Sequence, residues 1–246
     1  METIELICRL EAHALEAWPA TIVERTGDGW TLRATPGLDR GRNNNALTPC
    51  RELTGVEIDR GLTEVARFSE RHGIRAGVQV SPTYLHRELL AELDRRGWRT
   101  QWPTVVMTAP PTGRRPGVDL EIDPGATPAW LATWARCEGR SQASAAAHAD
   151  TVFAALRGRA WFASLDDAAV AIAVPGDGLL GLFCIAVDPE RRRTGLGTAL
   201  MRALQARAPT AIAYLQVEQR NTSAIALYER LGFTRAYEYL HRTAAA

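Results

Sequence analysis

LLGLFCIAVDPERRRTGLGTALMRALQARA, residues 179–208, decides how the rest of the chain is read. Its first nine residues, Leu179–Val187, form an apolar run of strand length, and the chain then turns abruptly into helix. Asp188 and Pro189 break the strand and Arg191–Arg193 supply positive charge. Gly195 and Gly197 let backbone amides approach an anion with no Cβ in the way. A helix beginning near Leu196, with Leu200, Ala203 and Leu204 apolar, adds its positive dipole end, worth roughly 0.3–1 kcal/mol per favourable charge interaction. Such a junction suits a phosphate group.

Working outward, Ala211–Val217 reads as a strand and Thr222–Arg230 as a helix, with Ile225, Leu227 and Leu231 apolar. Gly232 and Phe233 then lead into a strand over Ala236–Leu240. The first half has the same plan. Gly55–His72 reads as helix, Ile74–Val80 as strand and Pro82–Arg96 as an amphipathic helix carrying Leu85, Leu89, Leu90 and Leu93. Gly97 and Trp98 precede a strand over Thr104–Thr108. LLAELDRRGWRT (89–100) and AIALYERLGFTR (224–235) share leucine, acid, arginine, glycine, aromatic and threonine in nearly the same order. Both are a helix, a C′ glycine and a strand entry. Between the halves lies APPTGRRPG, Ala109–Gly117, whose three prolines and two glycines sustain neither helix nor inner strand. The reading is two α/β units, 1–112 and 117–246, the first a degenerate copy of the second.

The whole order resembles the GNAT N-acetyltransferase superfamily. The resemblance is close over about Leu182–Leu240 and rests on Arg192-x-x-Gly195-x-Gly197, on Val187-x-Pro189 before it, and on Asn221-x-x-Ala224-x-x-Leu227-Tyr228-Glu229-x-x-Gly232-Phe233. It implies a mixed sheet with helices on both faces, here in two tandem GNAT-like units, and acetyl-CoA as acyl donor. It places the CoA pyrophosphate on the amides of Arg192, Arg193, Thr194, Gly195, Leu196, Gly197 and Thr198. Pantetheine falls along Ile185, Ala186 and Val187, Asn221 on the cofactor arm, and Tyr228 beside the thioester sulfur as general acid. Two departures stand out. Relatives often have glycine where Arg193 stands and a basic residue where Thr194 stands. Many also carry a glutamate base on the strand before the loop, where this chain has Leu182, Phe183, Cys184, Ile185 and Ala186.

Acyl transfer from a thioester to an amine needs a neutral nitrogen, a polarised carbonyl and a protonated leaving thiolate. A lysine-like amine is neutral in only about one molecule in 2,500 at pH 7, a handicap of about 4.6 kcal/mol. Glu218 at the end of a strand could relieve it, as could Asp150, Asp166, Asp167 or Glu138, directly or through water. Tyr228 could return a proton to the thiolate. Cys184, in an apolar strand, reads as a small core residue rather than an acyl-carrying nucleophile. GLDRGRNNN, Gly37–Asn45, falls where a second copy would have its phosphate loop but lacks the pattern. It could instead help form the acceptor pocket, with Trp18, Trp30, Trp98 and Trp102 as walls. Arg140–Asp150, small and polar, is either another place for substrate contacts or an ordinary alanine-rich helix.

With 29 Lys and Arg against 28 Asp and Glu, the net charge of +1 provides no general field for nucleic acid or an anionic membrane. Cys8, Cys50, Cys137 and Cys184 are far apart and form neither a CxxC metal pattern nor a dense disulfide framework, which fits a reducing cytoplasm. The five histidines have no metal-ligand spacing, so no metal site is expected. The N-terminus lacks the layout of a signal peptide, and no apolar run reaches membrane-spanning length. The expected activity is direct acetyl transfer to a primary amine of a small molecule or peptide, by a monomer or homodimer. Two rivals are a non-catalytic acyl-CoA sensor and a nucleotide-binding protein, the latter disfavoured by the absence of GxxxxGK[ST].

Overall fold

The computed structural model describes residues 3–38, 41–113 and 117–245. Asp39 and Arg40, within the Gly37–Asn45 segment, and Arg114–Pro116, within the linker, lie outside the described residues.

The first half runs α1 (Ile4–Ala17), β1 (Ile22–Arg25), β2 (Thr31–Ala34), β3 (Asn45–Leu47), α2 (Gly55–Arg71), β4 (Gly77–Val80), α3 (Arg87–Arg95) and β5 (Arg99–Ala109). The second runs β6 (Glu121–Asp123), α4 (Pro128–Glu138), α5 (Gln142–His148), β7 (Trp161–Leu165), β8 (Ala169–Gly176), β9 (Leu179–Val187), α6 (Leu196–Arg207), β10 (Ile212–Glu218), α7 (Thr222–Arg230) and β11 (Thr234–Thr243). The expected helix over Pro82–Arg96 is divided: residues 83–85 form a short 3-10 turn and α3 starts only at Arg87, because His86 between them leaves the helical region at φ −120°, ψ 39°. β5 and β11 run longer than the apolar cores that mark them, since their polar outer residues are held by ladders on both sides.

All eleven strands join one sheet in the order β1-β2-β3-β4-β11-β5-β10-β9-β8-β7-β6. Each half has lent its last strand to the other. β11 lies between β4 and β5, and β5 lies between β10 and β11, all antiparallel.

Strand alternation sets two faces. Phe162, Ile172 and Phe183 point into a core with Trp130, Trp134 and Phe153, beneath α1, α4 and α5. Ala163, Ala171, Leu180 and Leu182 point the other way, toward Leu200, Leu204 and Ile225 of α6 and α7. In the first half Val78 and Val80 face α2 and α3, while Gln79 between them reaches Glu11 on α1 at 3.2 Å. The helices therefore cover both faces.

A polar network crosses the exchanged strands. Glu11 accepts from Tyr237 at 2.5 Å and Ser81 at 2.8 Å, and loss of hydration raises its pKa despite these bonds. Cys8 and Cys50 form a disulfide linking α1 to the segment after β3. One disulfide is no dense framework, but it removes the cysteines as support for a reducing compartment; its partners are 42 residues apart in sequence and meet only through the tertiary fold.

Candidate functional site

β9 and β10 are parallel neighbours only from Leu179–Ile212 to Leu182–Leu215. Beyond that point they part, leaving Phe183–Val187 and Gln216–Glu218 on the two arms of a V. The cause is a bulge in β9. Between Phe183 and Ala186 the register against β8 slips by one residue, and Cys184 takes φ +51°. Cys184 is thus half-buried on the wall of a cavity and not a core residue, because the bulge turns it out of the strand's alternation.

Two cavities meet in the V. One, of about 880 Å³, runs along Ile185, Ala186 and Val187 to the loop Arg191–Arg193 and to Gly195, Leu196, Gly197 and Thr198, with α7 on its other side. The second, of about 630 Å³, is lined by Trp18 and Arg42 from the first half and by Cys184, Gln216, Glu218 and Arg220 from the second. Glu138, Ile185, Asn221 and Tyr228 line both.

The loop is set by its own side chains. Asp188 accepts from Glu190 N–H at 3.0 Å and pairs with Arg136 at 2.7 Å, which lowers its pKa. Arg192 donates from Nε to the Val187 carbonyl at 3.2 Å, so its side chain shapes the turn. Arg193 and Gly195 both take left-handed backbone, at φ +66° and +94°. At 193 the backbone suits the glycine that relatives often have, and arginine occupies it at a strain of roughly 1–2 kcal/mol. α6 then begins without any side-chain cap and with no acid in its first turn, leaving its first amides for an anion. Gly197 lets the helix approach closely, since a Cβ there would lie 3.4 Å from both Leu227 and Val187 side chains.

The corresponding position of the first half is α2, after β3. Its start is closed: Thr54 N–H donates to Glu57 at 2.8 Å, the Thr54 hydroxyl accepts from Glu57 N–H, and Arg51 pairs with Glu57 at 2.7 Å. The loop expected within Gly37–Asn45 is therefore Thr48–Thr54, one connection later, where an internal carboxylate already holds the helix end. Gly37–Asn45 instead joins β2 to β3 and brings Arg42 to the second cavity.

Tyr228, on α7, is 7% exposed, and burial first, then the charge of Glu138, push its pKa up to about 12. Asn221 caps α7, accepting from Ala224 N–H at 3.2 Å. Of the five carboxylates read as bases, Glu218 and Glu138 reach the cavities; Glu218 pairs with Arg220 at 2.5 Å. Asp166 lies 3.7 Å from Arg191, Asp167 sits in the same β7–β8 turn, and Asp150 lies in the turn after α5, none lining either cavity. Trp18 is the tryptophan that reaches the second cavity; Trp30 is core, Trp98 packs beside it and Trp102 is exposed elsewhere. Of the Arg140–Asp150 stretch, α5 is helical and neither cavity touches it. Sequence reasoning missed Arg42, although the residue lies within Gly37–Asn45, a segment that reads as possible acceptor pocket.

The family model described as "Probable histone acetyltransferase Rv0428c C-terminal" matches residues 5–242. A mycothiol acetyltransferase of Thermobispora bispora is 47% identical over 64 residues, covering 24% of this chain and 21% of that protein. A [ribosomal protein bS18]-alanine N-acetyltransferase of Escherichia coli is 48% identical over 58 residues, covering 22% of this chain and 39% of that protein. The chain thus spans well under half the length of these curated relatives. Among solved structures, a GCN5-related N-acetyltransferase from Kribbella flavida aligns with TM-score 0.71 at 14% identity, over 98% of this chain and 96% of that one. A tandem GNAT protein from the clavulanic acid biosynthesis pathway aligns with TM-score 0.62 at 15% identity, over 99% and 94%. A V opened by the bulge, an uncapped glycine loop and a match over nearly the whole chain come together in one assignment: the chain belongs to the Rv0428c C-terminal family and has the tandem GNAT fold.

Proposed function

We propose that the protein transfers an acetyl group from acetyl-CoA directly to a primary amine of a small molecule or peptide. The observation that carries this reading is the meeting of the two cavities at Tyr228, with the open start of α6 on one side only. The diphosphate lies on the amides of Arg192–Thr198 and pantetheine along Ile185–Val187. Acceptor amines enter through the second cavity, between the unit 1–112 and the unit 117–246. A cytoplasmic place goes with that donor.

The amine nitrogen attacks the thioester carbonyl, the carbon–sulfur bond breaks and the sulfur leaves as thiolate. Tyr228, protonated throughout the physiological range, supplies the thiolate with a proton. The amine loses its proton to Glu218, with Glu138 as the second carboxylate within the site. The first unit binds no second CoA, because Glu57 occupies the start of α2.

Calorimetric titration with acetyl-CoA tests the reading, beside the double variant Gly195→Glu, Gly197→Glu. Binding by the wild type and none by the folded variant is expected; absence of binding by the wild type overturns it. Binding without thiol release for any amine would favour an acyl-CoA sensor.

A further inference from the structure

The β2–β3 connection is clamped by three consecutive asparagines. Asn43 accepts from Trp18 Nε1 at 3.0 Å, Asn44 from Thr35 N–H at 2.7 Å, and Asn45 from Arg33 Nε at 3.0 Å. Asn43 and Asn45 are buried. This fixes the backbone that follows Arg42, and the guanidinium lines the second cavity. There it lies 5.5 Å from the ring centres of both Trp18 and Phe183 and donates to Gln216. Gln216 in turn accepts from Tyr239 at 3.1 Å.

Every one of these partners is neutral. Among the described residues no carboxylate forms an ion pair with Arg42; Glu11, whose charge it helps to hold, is already engaged by Tyr237, Ser81 and Gln79. A guanidinium on two aromatic faces keeps the in-plane N–H donors that Gln216 does not take for a planar anion, the geometry in which arginine binds carboxylates by two bonds. Gln216 and Glu218 sit on the same side of β10 two residues apart, about 7 Å along the strand. Arg42, Trp18 and Gln216 line the second cavity alone, whereas Tyr228 and Glu138 mark its junction with the first. A cationic end and an acid-lined reacting end therefore share one cavity.

Resting on the acetyl-transfer reading, we infer that the acceptor is a small amino-carboxylic acid, its amine at Tyr228 and Glu218 and its carboxylate on Arg42, which makes the first half the reader of acceptor identity.

The test pairs ω-amino acids from glycine to 6-aminohexanoate with their carboxamides, on the wild type, Arg42→Gln and Arg42→Lys. For at least one chain length the acid should exceed its amide by on the order of tenfold or more in kcat/KM, through KM. Arg42→Gln should bring that ratio near one, Arg42→Lys should leave it intermediate, and the acetyl-CoA Kd of both should match the wild type. Acids and amides used alike by the wild type, or a ratio unchanged in Arg42→Gln, would overturn the inference. Calorimetric titration with the same acids and amides in the absence of acetyl-CoA reads the anion site by itself. Selective binding of acids that Arg42→Gln loses upholds the inference even where acetyl transfer fails, and equal binding of acids and amides sinks it while acetyl-CoA binding stands.

Discussion

Glu138 and Tyr228 stand together where the two cavities meet, and the carboxylate's charge adds to burial in holding the phenol up to about 12. A phenol so placed stays protonated well into alkaline solution. The kcat profile should therefore rise as the amine loses its proton and show no fall from Tyr228 up to about pH 11. Tyr228→Phe should lower kcat by roughly 10²- to 10⁴-fold with little change in the acetyl-CoA KM. Glu138→Gln removes a negative neighbour and should lower the Tyr228 pKa, read as the tyrosinate absorbance that Tyr228→Phe abolishes.

Gly195 and Gly197 serve different needs. At φ +94° Gly195 carries a conformational demand, so Gly195→Ala should cost about 1–2 kcal/mol in urea unfolding. Gly197 carries a spatial one: a methyl group just fits at 3.4 Å from Leu227 and Val187, and anything larger pushes α6 from α7. Gly197→Ala should keep acetyl-CoA affinity within about threefold, and Gly197→Val should reduce it by on the order of tenfold or more. Calorimetry distinguishes the two.

His241 is buried beside Tyr239 and Trp102, and burial, with the charges of Arg42 and Arg33, lowers its pKa to about 3. His13 and His86 are shifted the same way by burial. The unfolded chain binds these protons more readily than the fold. Stability is hence full above the ordinary histidine value near 6.5 and is lost as pH falls from there toward 3, with an upper limit of about 5 kcal/mol for His241. Urea midpoints measured from pH 7 to pH 4 should decline, and His241→Gln should flatten the decline.

The Cys8–Cys50 bond closes a segment of 42 residues, long enough that its loss should cost about 2–4 kcal/mol. Unfolding with and without reductant, against Cys8→Ala with Cys50→Ala, measures it. The double variant should match the reduced wild type.

What could be read in the sequence was local. The apolar run of β9, the glycine loop, the helices over 196–207 and 222–230 and the helix–glycine–strand repeat all signal themselves within a dozen residues. The bulge at Cys184 does not, because no glycine marks the left-handed position. Nor does the strand exchange: nothing local to β5 or β11 names the strands they lie between, so which neighbour each takes is decided by packing. Arg42 was hidden for a related reason. Its three asparagines look like a polar loop until their bonds to Trp18, Thr35 and Arg33 are seen.

The exchange of last strands also bears on how the protein is made. In the fold β4 and β5 have no ladder with each other, since the place between them belongs to residues 234–243, which are made more than 120 residues after β5. Until residues 234–243 are made, β4 and β5 each lack that native partner, and an unpaired strand edge is a template for unwanted pairing. The final ladder joins residues more than 120 positions apart, and its closure completes both halves at once. A chain that lacks β11 therefore leaves the earlier half unfinished as well as the later one.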